Sequence, residues 1–167
     1  GSSGCCNMGG CAGQNNNQYD VVADKDAGAV WFATECGIWG YPLPASGLGA
    51  CSGQNRVPGT AGVRFNAVST DSTTTLWGGK YPDPGGLTTC QKTGGTSCTG
   101  YTTYPPPPST CGRVNDVAVG TLGFVWVGTL GCGNDGLGRF NIASSTFDIE
   151  WYPSSGEVEV RSVTVDS

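Results

Sequence analysis

The sequence predicts an all-β fold in which short antiparallel strands are joined by many turns. Charged residues make up only 13% of the 167 residues, whereas 29 residues are glycine. A chain so rich in glycine, serine and threonine forms helices poorly. Five tryptophans, six tyrosines and several valine-rich stretches need an apolar core, which argues against disorder. One phrase of sequence also recurs along the chain, so we expect a fold built from repeats.

The recurring phrase is clearest in "YDVVADKDAGAVWFAT", which starts at Tyr19, and "VNDVAVGTLGFVWVGT", which starts at Val114. A third copy, "FNAVSTDSTTTLWGG", starts at Phe65, and a partial fourth, "VRSVTVDS", starts at Val160. An alignment without gaps gives four equivalent anchor valines, spaced by 46, 49 and 46 residues: Val22, Val68, Val117 and Val163. A period of about 47 residues matches four short strands with their turns, which is one propeller blade. The predicted fold is therefore a β-propeller-like array of four-stranded antiparallel blades.

The strands of a blade can be assigned in order along the copy that starts at Val114. "VNDVAVG" alternates apolar with small or polar residues, as a strand with two unlike faces does. "FVWVGT" is dense in β-branched and aromatic residues, and "GLGRFNI" and "TFDIEWYP" supply the third and fourth strands. In the second blade, "GGLTTCQK" and "CTGYTTYP" take these last two places. The predicted organisation is a Cys-rich segment at 1–18, blades at 19–64, 65–113 and 114–159, and the first strand of an unfinished blade at 160–167.

Three complete blades are too few for a ring, since closed propellers have about four to eight. We expect that the chain is cut from a longer one or that copies of it complete the ring head to tail. The terminal stretch "EVEVRSVTVDS" alternates and has an unpaired edge, so it suits donation to a neighbouring subunit. Fraying of a truncated terminus is the alternative interpretation. The valines of this candidate assembly strand are Val158, Val160, Val163 and Val165.

The third copy carries the pattern N-D-V-x5-G-x-V-W-V-G-T, followed by G-L-x-R-F, between Asn115 and Phe140. This pattern resembles the repeat of the two-component-regulator type of β-propeller, and the resemblance extends over residues 19–167. It implies the propeller fold and an extracytoplasmic sensor domain. The Cys content and a proline tract depart from the family pattern. Trp31, Trp77 and Trp126 occupy one place in every blade, and we expect them to pack between blades.

The nine cysteines predict disulfides and an oxidising, extracellular or cell-surface location. No C-x-x-C pair and no histidine occur, so a zinc site is not expected. Cys90 and Cys98 flank a hairpin-like turn, and a bridge between them is plausible across a strand pair. We also expect Cys36 to pair with Cys51 and Cys111 with Cys132. Three cysteines then remain for each other or for another chain: Cys5, Cys6 and Cys11.

Two further stretches carry candidate site residues. "YTTYPPPPST" contains four consecutive prolines, which form a stiff polyproline II segment, and its composition indicates O-glycosylation; a rigid surface loop is the alternative. The candidate acceptors are Thr102, Thr103, Ser109 and Thr110, together with Pro105, Pro106, Pro107 and Pro108 in hydroxylated form. "DKDAG" places Asp24 and Asp26 as in the opening of a calcium loop, but no Glu falls at the twelfth position, so a polar turn is favoured.

Composition also limits the function. The absence of histidine excludes the usual triads and His-ligated metals, so we expect no enzyme and no cofactor. The net charge of −5 and eight scattered basic residues disfavour nucleic acid, and no run of 18 apolar residues predicts membrane insertion. The sequence favours a structural extracellular protein, disulfide-stabilised and O-glycosylated, in an assembly or filament of its own copies, with glycans as further partners. A ligand-binding or sensor-type propeller fragment is the alternative, and a propeller lyase is disfavoured because histidine is absent.

Overall fold

The structure, a computed structural model, describes residues 17–43, 54–71, 73–81, 85–105, 113–129, 136–151 and 160–165. These residues form three four-stranded sheets in which consecutive strands pair antiparallel. Sheet 1 contains β1 (Gln18–Asp24), β2 (Ala29–Thr34), β3 (Gly37–Pro42) and β4 (Asn55–Arg56). Sheet 2 contains β5 (Phe65–Thr70), β6 (Thr75–Lys80), β7 (Gly86–Gly94) and β8 (Ser97–Tyr104). Sheet 3 contains β9 (Val114–Val119), β10 (Phe124–Thr129), β11 (Leu137–Asn141) and β12 (Thr146–Trp151). The predicted all-β, propeller-like array is confirmed.

The strand pairing corrects one position of the repeat alignment. Val68 pairs with Gly78 and Val117 with Val127, but their counterpart in sheet 1 is Val21, which pairs with Phe32. The gapless assignment of Val22 as the first anchor is therefore wrong by one residue. Ten residues separate Val21 from its partner Phe32, whereas nine separate Val117 from Val127, and this one-residue difference shifts β1. Because side chains alternate between faces, a shift of one residue moves every side chain of β1 to the other face.

Two apolar clusters join the sheets face to face. The first lies between sheets 1 and 2 and contains Ala29, Trp31, Ala33, Ile38, Val57, Phe65, Val68, Leu76, Cys90 and Cys98. The second lies between sheets 2 and 3 and contains Ala67, Trp77, Leu87, Val114, Val117, Val125, Val127 and Phe140. Neighbouring residues of one strand serve different clusters, since Leu76 enters the first and Trp77 the second. This alternation lets sheet 2 bury both of its faces.

Burial of the repeated tryptophans follows the position of the sheets. Trp31 is 0% exposed and Trp77 is 3% exposed, as expected for packing between blades. Trp126 is only half-buried, and Val21 is 56% exposed, whereas the equivalent Val68 is 3% exposed. Each of these two residues belongs to a face that no further sheet covers among the described residues. The terminal faces are therefore the Val21 face of sheet 1 and the Trp126 face of sheet 3.

Residues 160–165 lie against sheet 3 of their own chain and pair with no strand. The backbone N–H of Val163 donates to Asp116 Oδ2 over 2.6 Å. Val160 lies so close to Gly128 that a Cβ there would be 2.8 Å from Val160 Cγ1, and Val165 lies near Gly120. Val158 lies outside the described residues. Donation of this segment to a neighbouring subunit stays a prediction.

Candidate functional site

The first strand of each sheet has a β-bulge at the same place. These strands are β1, β5 and β9, and we call them the inner strands. The pairing of β1 with β2 steps from Gln18 to Asp20, that of β5 with β6 from Phe65 to Ala67, and that of β9 with β10 from Val114 to Asp116. A bulge leaves one residue without a partner opposite and redirects its side chain. The three bulge residues are Tyr19, Asn66 and Asn115. In residues 160–165, Arg161 takes the equivalent place.

These four positions converge on one polar cavity of about 270 Å³. The residues that line it are Tyr19, Asp20, Asn66, Asn115, Asp116, Arg161 and Ser162. Every inner strand of the array contributes to this lining, so the cavity lies where the repeats meet. We refer to it as the axial cavity.

Two aspartates of the axial cavity connect consecutive repeats. Asp20 accepts hydrogen bonds from the N–H groups of Val21 and Val68, both over 2.8 Å. Asp116 likewise accepts from Val117 over 2.8 Å and from Val163 over 2.6 Å. Each carboxylate thus binds its own strand and the inner strand of the next repeat. Hydrogen bonds from N–H groups to a carboxylate are stronger than those to a neutral acceptor. The two aspartates therefore fix the spacing of the inner strands.

Sheet 2 uses amides for the same connection. Ala67 stands at the position of the two aspartates, because it pairs with Gly79 as Asp116 pairs with Gly128. The neighbouring Asn66 donates from Nδ2 to Asn115 Oδ1 over 3.3 Å. Asn115 Nδ2 in turn donates to the carbonyl oxygens of residues 160 and 161, over 3.3 and 3.1 Å. The amide side chains therefore continue the connection across the cavity.

An arginine supports one wall of the cavity. The Arg64 guanidinium carbon lies 4.1 Å from the ring centroid of Tyr19 and 3.8 Å from that of Tyr81. Arg64 Nε donates to Asn66 Oδ1 over 3.0 Å and lies 3.8 Å from Glu35 Oε2. The Tyr19 hydroxyl donates to the same Glu35 carboxylate. Cation–π contacts and hydrogen bonds thus hold Tyr19 and Asn66 in place.

The surroundings of Asp20 in the cavity raise the pKa of its carboxyl group. Burial raises the pKa of Asp20, and the nearby Asp116 carboxylate raises it further, whereas the hydrogen bonds from Val68 and Val21 oppose the rise. A raised pKa means that this carboxyl takes up a proton more readily than an ordinary aspartate. Among the described residues no group of three or more His, Cys, Asp or Glu side chains could hold a metal ion. The cavity instead offers amide, hydroxyl, carboxylate and guanidinium groups for hydrogen bonding.

The candidate calcium residues have other surroundings in the structure. Asp24 is buried and its Oδ2 lies 2.7 Å from Lys92 Nζ, while its Oδ1 accepts from the N–H of Ala27 over 2.9 Å. Asp26 is exposed in the β1–β2 turn. Asp24 therefore forms an ion pair between sheets 1 and 2 and also caps its own turn. The cap agrees with the polar turn that the sequence favoured over a calcium loop.

The cysteines bear out one pairing. Cys90 and Cys98 are joined by a disulfide between β7 and β8, with their Cα atoms 5.7 Å apart. Cys36 is disulfide-bonded as well. The other predicted cysteines lie outside the described residues: Cys5, Cys6, Cys11, Cys51, Cys111 and Cys132.

The predicted glycosylation tract is described only in part. Thr102, Thr103 and Pro105 are exposed, so an enzyme that attaches sugars would reach them. The remaining predicted acceptors lie outside the described residues: Pro106, Pro107, Pro108, Ser109 and Thr110. Glycosylation of the tract stays a prediction.

Sequence reasoning missed the axial cavity. The gapless alignment places Asp20 opposite Asn115, whereas the strand pairing places Asp20 opposite Asp116. The sequence contained one signal. A residue able to form hydrogen bonds through its side chain precedes each of the equivalent positions 20, 67, 116 and 162. Those residues are Tyr19, Asn66, Asn115 and Arg161. A single-residue gap in the first repeat would have brought them into one column.

Comparison with known proteins finds similarity to solved structures. No protein-family model matches the chain, and no curated protein matches it. A solved structure, the extracellular domain of a B. thetaiotaomicron protein described as a one component system, matches with a TM-score of 0.49 and 16% identity. The match covers 83% of this chain and 16% of that one. At this similarity the fold assignment rests on the strand pairing described above. None of the described residues forms a helix long and apolar enough to cross a membrane.

Proposed function

We propose that this chain is a non-enzymatic, sensor-type binding domain of an extracellular protein. In this proposal the axial cavity binds a small ligand that carries several hydroxyl groups. The observation that carries the proposal is the convergence of the three bulge residues and Arg161 on one polar cavity. The Cys90–Cys98 disulfide supports an oxidising location outside the cell.

The chemistry of the lining supports this ligand class. Asn66 and Asn115 offer amide donors and acceptors, and Ser162 can both donate and accept. The Asp20 and Asp116 carboxylates disfavour an anionic ligand, because like charges repel at short range. A hydroxyl group can donate to a carboxylate and accept from an amide or guanidinium, so a saccharide satisfies both kinds of partner. A cavity of about 270 Å³ is slightly below the usual range of roughly 300–1,000 Å³ for ligand pockets, so it suits a small ligand.

A titration with neutral mono- and disaccharides, followed by amide NMR shifts, tests this function. We expect the resonances of Asn66, Asn115 and Asp116 to shift in a saturable way. The side chain of Asn66 bonds only to other side chains in the structure, Arg64 and Asn115. Asn66→Ala should therefore keep the fold and weaken binding by roughly fivefold to tenfold.

The matched control is Lys25→Gln, which changes an exposed polar residue in the turn at the far end of β1. This variant should bind like the parent chain. The proposal fails if no saccharide shifts the axial resonances, or if both variants weaken binding equally.

A structural role remains the second candidate, because one observation favours it. Val21 is 56% exposed, whereas its counterparts Val68 and Val117 are buried at the two interfaces between sheets. Copies arranged head to tail would cover such faces and give a filament or a closed assembly. We also propose that neither nucleic acid nor insertion into a membrane forms part of the function.

A further inference from the structure

The interface between sheets 1 and 2 contains a buried ammonium group at the end opposite the axial cavity. Lys92 Nζ lies 2.7 Å from Asp24 Oδ2, 2.7 Å from Thr70 Oγ1 and 2.8 Å from the carbonyl oxygen of Asp71. The side chains of Lys92 and Asp24 are only 3% and 2% exposed. A charge is tolerated at such burial when an opposite charge and hydrogen bonds compensate it.

The repeat identifies the same place between sheets 2 and 3. Strand pairing makes Asp71 the counterpart of Asp24 and Val119 the counterpart of Thr70. Ile142 is the counterpart of Lys92. The backbone N–H of Lys92 donates to the carbonyl oxygen of Thr74, which precedes β6, and the N–H of Ile142 donates to that of Gly123, which precedes β10. The carboxylate is thus kept, whereas the ammonium and the hydroxyl are replaced by apolar groups.

These replacements leave a cavity of about 390 Å³. Its lining includes Asp71, Val119, Gly120 and Ile142. Gly120 contributes only its backbone, since a Cβ there would point toward Val165, 3.4 Å away. The cavity therefore lies at the second interface in the place that is equivalent to that of Lys92 at the first.

The carboxylate in this cavity is oriented by its own turn. Asp71 Oδ1 accepts from the N–H of Thr74 over 2.6 Å and of Thr75 over 2.7 Å. Asp24 Oδ1 accepts in the same way from Ala27, three residues on, over 2.9 Å. In Asp24 this arrangement leaves Oδ2 to the Lys92 ammonium, 2.7 Å away. Asp71 Oδ1 lies 4.0 Å from the same ammonium, and Asp71 also lines the cavity beside sheet 3.

We propose that this second cavity binds a primary alkylammonium group. The ammonium takes the place of Lys92 Nζ and pairs with the Asp71 carboxylate, while the alkyl stem packs between Val119 and Ile142. The ligand is either a free alkylamine or a lysine side chain, since both present the same group. The site is separate from the axial cavity and does not depend on the function proposed there.

The test is a titration of the full chain with n-butylammonium, followed by the amide resonances of Val119 and Gly120. Butan-1-ol is the neutral control of matching length, and Nα-acetyl-lysine methylamide presents the same group as a lysine side chain. We expect n-butylammonium to bind at least tenfold more tightly than butan-1-ol. Binding of the lysine derivative as well would identify a peptide lysine as the source, and binding of n-butylammonium alone would identify a free amine.

Two variants separate the ion pair from simple filling of space. Asp71→Asn keeps an oxygen for the N–H groups of residues 73–75 and should weaken amine binding at least tenfold. Ile142→Lys places an ammonium in the cavity from within the chain, so it should abolish amine binding. Ile142→Met fills similar volume without charge and serves as its control. Equal affinity for the amine and the alcohol, unchanged binding in Asp71→Asn, or no shift with any probe would overturn the proposal.

Discussion

The Asp24 carboxylate shows how one residue depends on its surroundings. Burial acts to raise its pKa, but hydrogen bonds from Lys92 and from the Ala27 N–H outweigh burial and lower the pKa below the usual 3.8. Folded Asp24 therefore binds a proton more weakly than unfolded Asp24 does. The stability that it contributes is complete above pH 3.8 and is lost as the pH falls through the lower, folded-state pKa.

Replacement of Lys92 tests this dependence. Lys92→Met leaves the Asp24 carboxylate buried without its opposite charge, so the free energy of unfolding should fall by about 3–5 kcal/mol. Urea unfolding at neutral pH measures the loss. The free energy of unfolding of this variant should also fall less steeply in acid, because Asp24 no longer has a pKa lowered by Lys92.

Lys25→Met is the control, since Lys25 is exposed in the neighbouring turn. Its effect should stay within about 0.5 kcal/mol. A loss below about 1 kcal/mol in Lys92→Met would show that the buried pair contributes little.

At the scale of strands, the approach of sheet 2 to sheet 3 depends on a residue without a side chain. A Cβ on Gly79 of β6 would lie 2.5 Å from Val114 Cγ1 of β9. The equivalent position in sheet 1 is Ala33, which is buried without a clash. The close contact at Gly79 recurs where residues 160–165 lie against sheet 3, since a Cβ on the equivalent Gly128 would lie 2.8 Å from Val160 Cγ1.

A double-mutant cycle tests this contact. Gly79→Ala alone should destabilise the chain by about 1–3 kcal/mol, because the sheets must separate to admit the methyl group. In the Val114→Ala background the same substitution should cost less, with a coupling energy of about 1 kcal/mol. Thermal and urea unfolding of the four proteins gives the cycle. Purely additive losses would mean that the two residues do not meet.

The strands also show what the sequence could and could not predict. The four strands of the copy that starts at Val114 follow from alternation and turn residues. The segments around Trp77 and Trp126 were aligned correctly because the connections before these tryptophans have equal length. The register of β1 was wrong because the gapless alignment took no account of the one extra residue between β1 and β2. Positions 21 and 22 are both valine, so alternation between apolar and polar residues did not reveal the shift. The axial cavity depends on that register and was missed for the same reason.

At the scale of the molecule, the array has two terminal faces that differ from the internal ones. Val21 is 56% exposed where Val68 is 3% exposed, and Trp126 is half-buried where Trp31 is fully buried. An apolar side chain left in water favours association with another surface. The internal interfaces show which kind of surface fits, namely another sheet of the same repeat.

Val21→Lys tests the head-to-tail candidate. A charge on this face should leave stability within about 0.5 kcal/mol, because the side chain is exposed. If copies associate through the face, sedimentation velocity should show oligomers of the parent chain and monomers of the variant. Leu122→Lys is the matched control, as Leu122 is also exposed but lies in the β9–β10 turn. Identical sedimentation of all three proteins would exclude this face as a contact between copies.

The bulge in each inner strand has a consequence for how such a domain evolves. A bulged residue lies outside the two-residue alternation, so its identity is not constrained by the apolar clusters on either side. The residues at these places already differ, with a tyrosine and two asparagines at the three bulges and an arginine at the equivalent place in residues 160–165. Point mutations at these positions can change what the domain recognises while the neighbouring sheets keep their packing. Duplication of one blade therefore yields a surface whose recognition residues diverge independently of its scaffold.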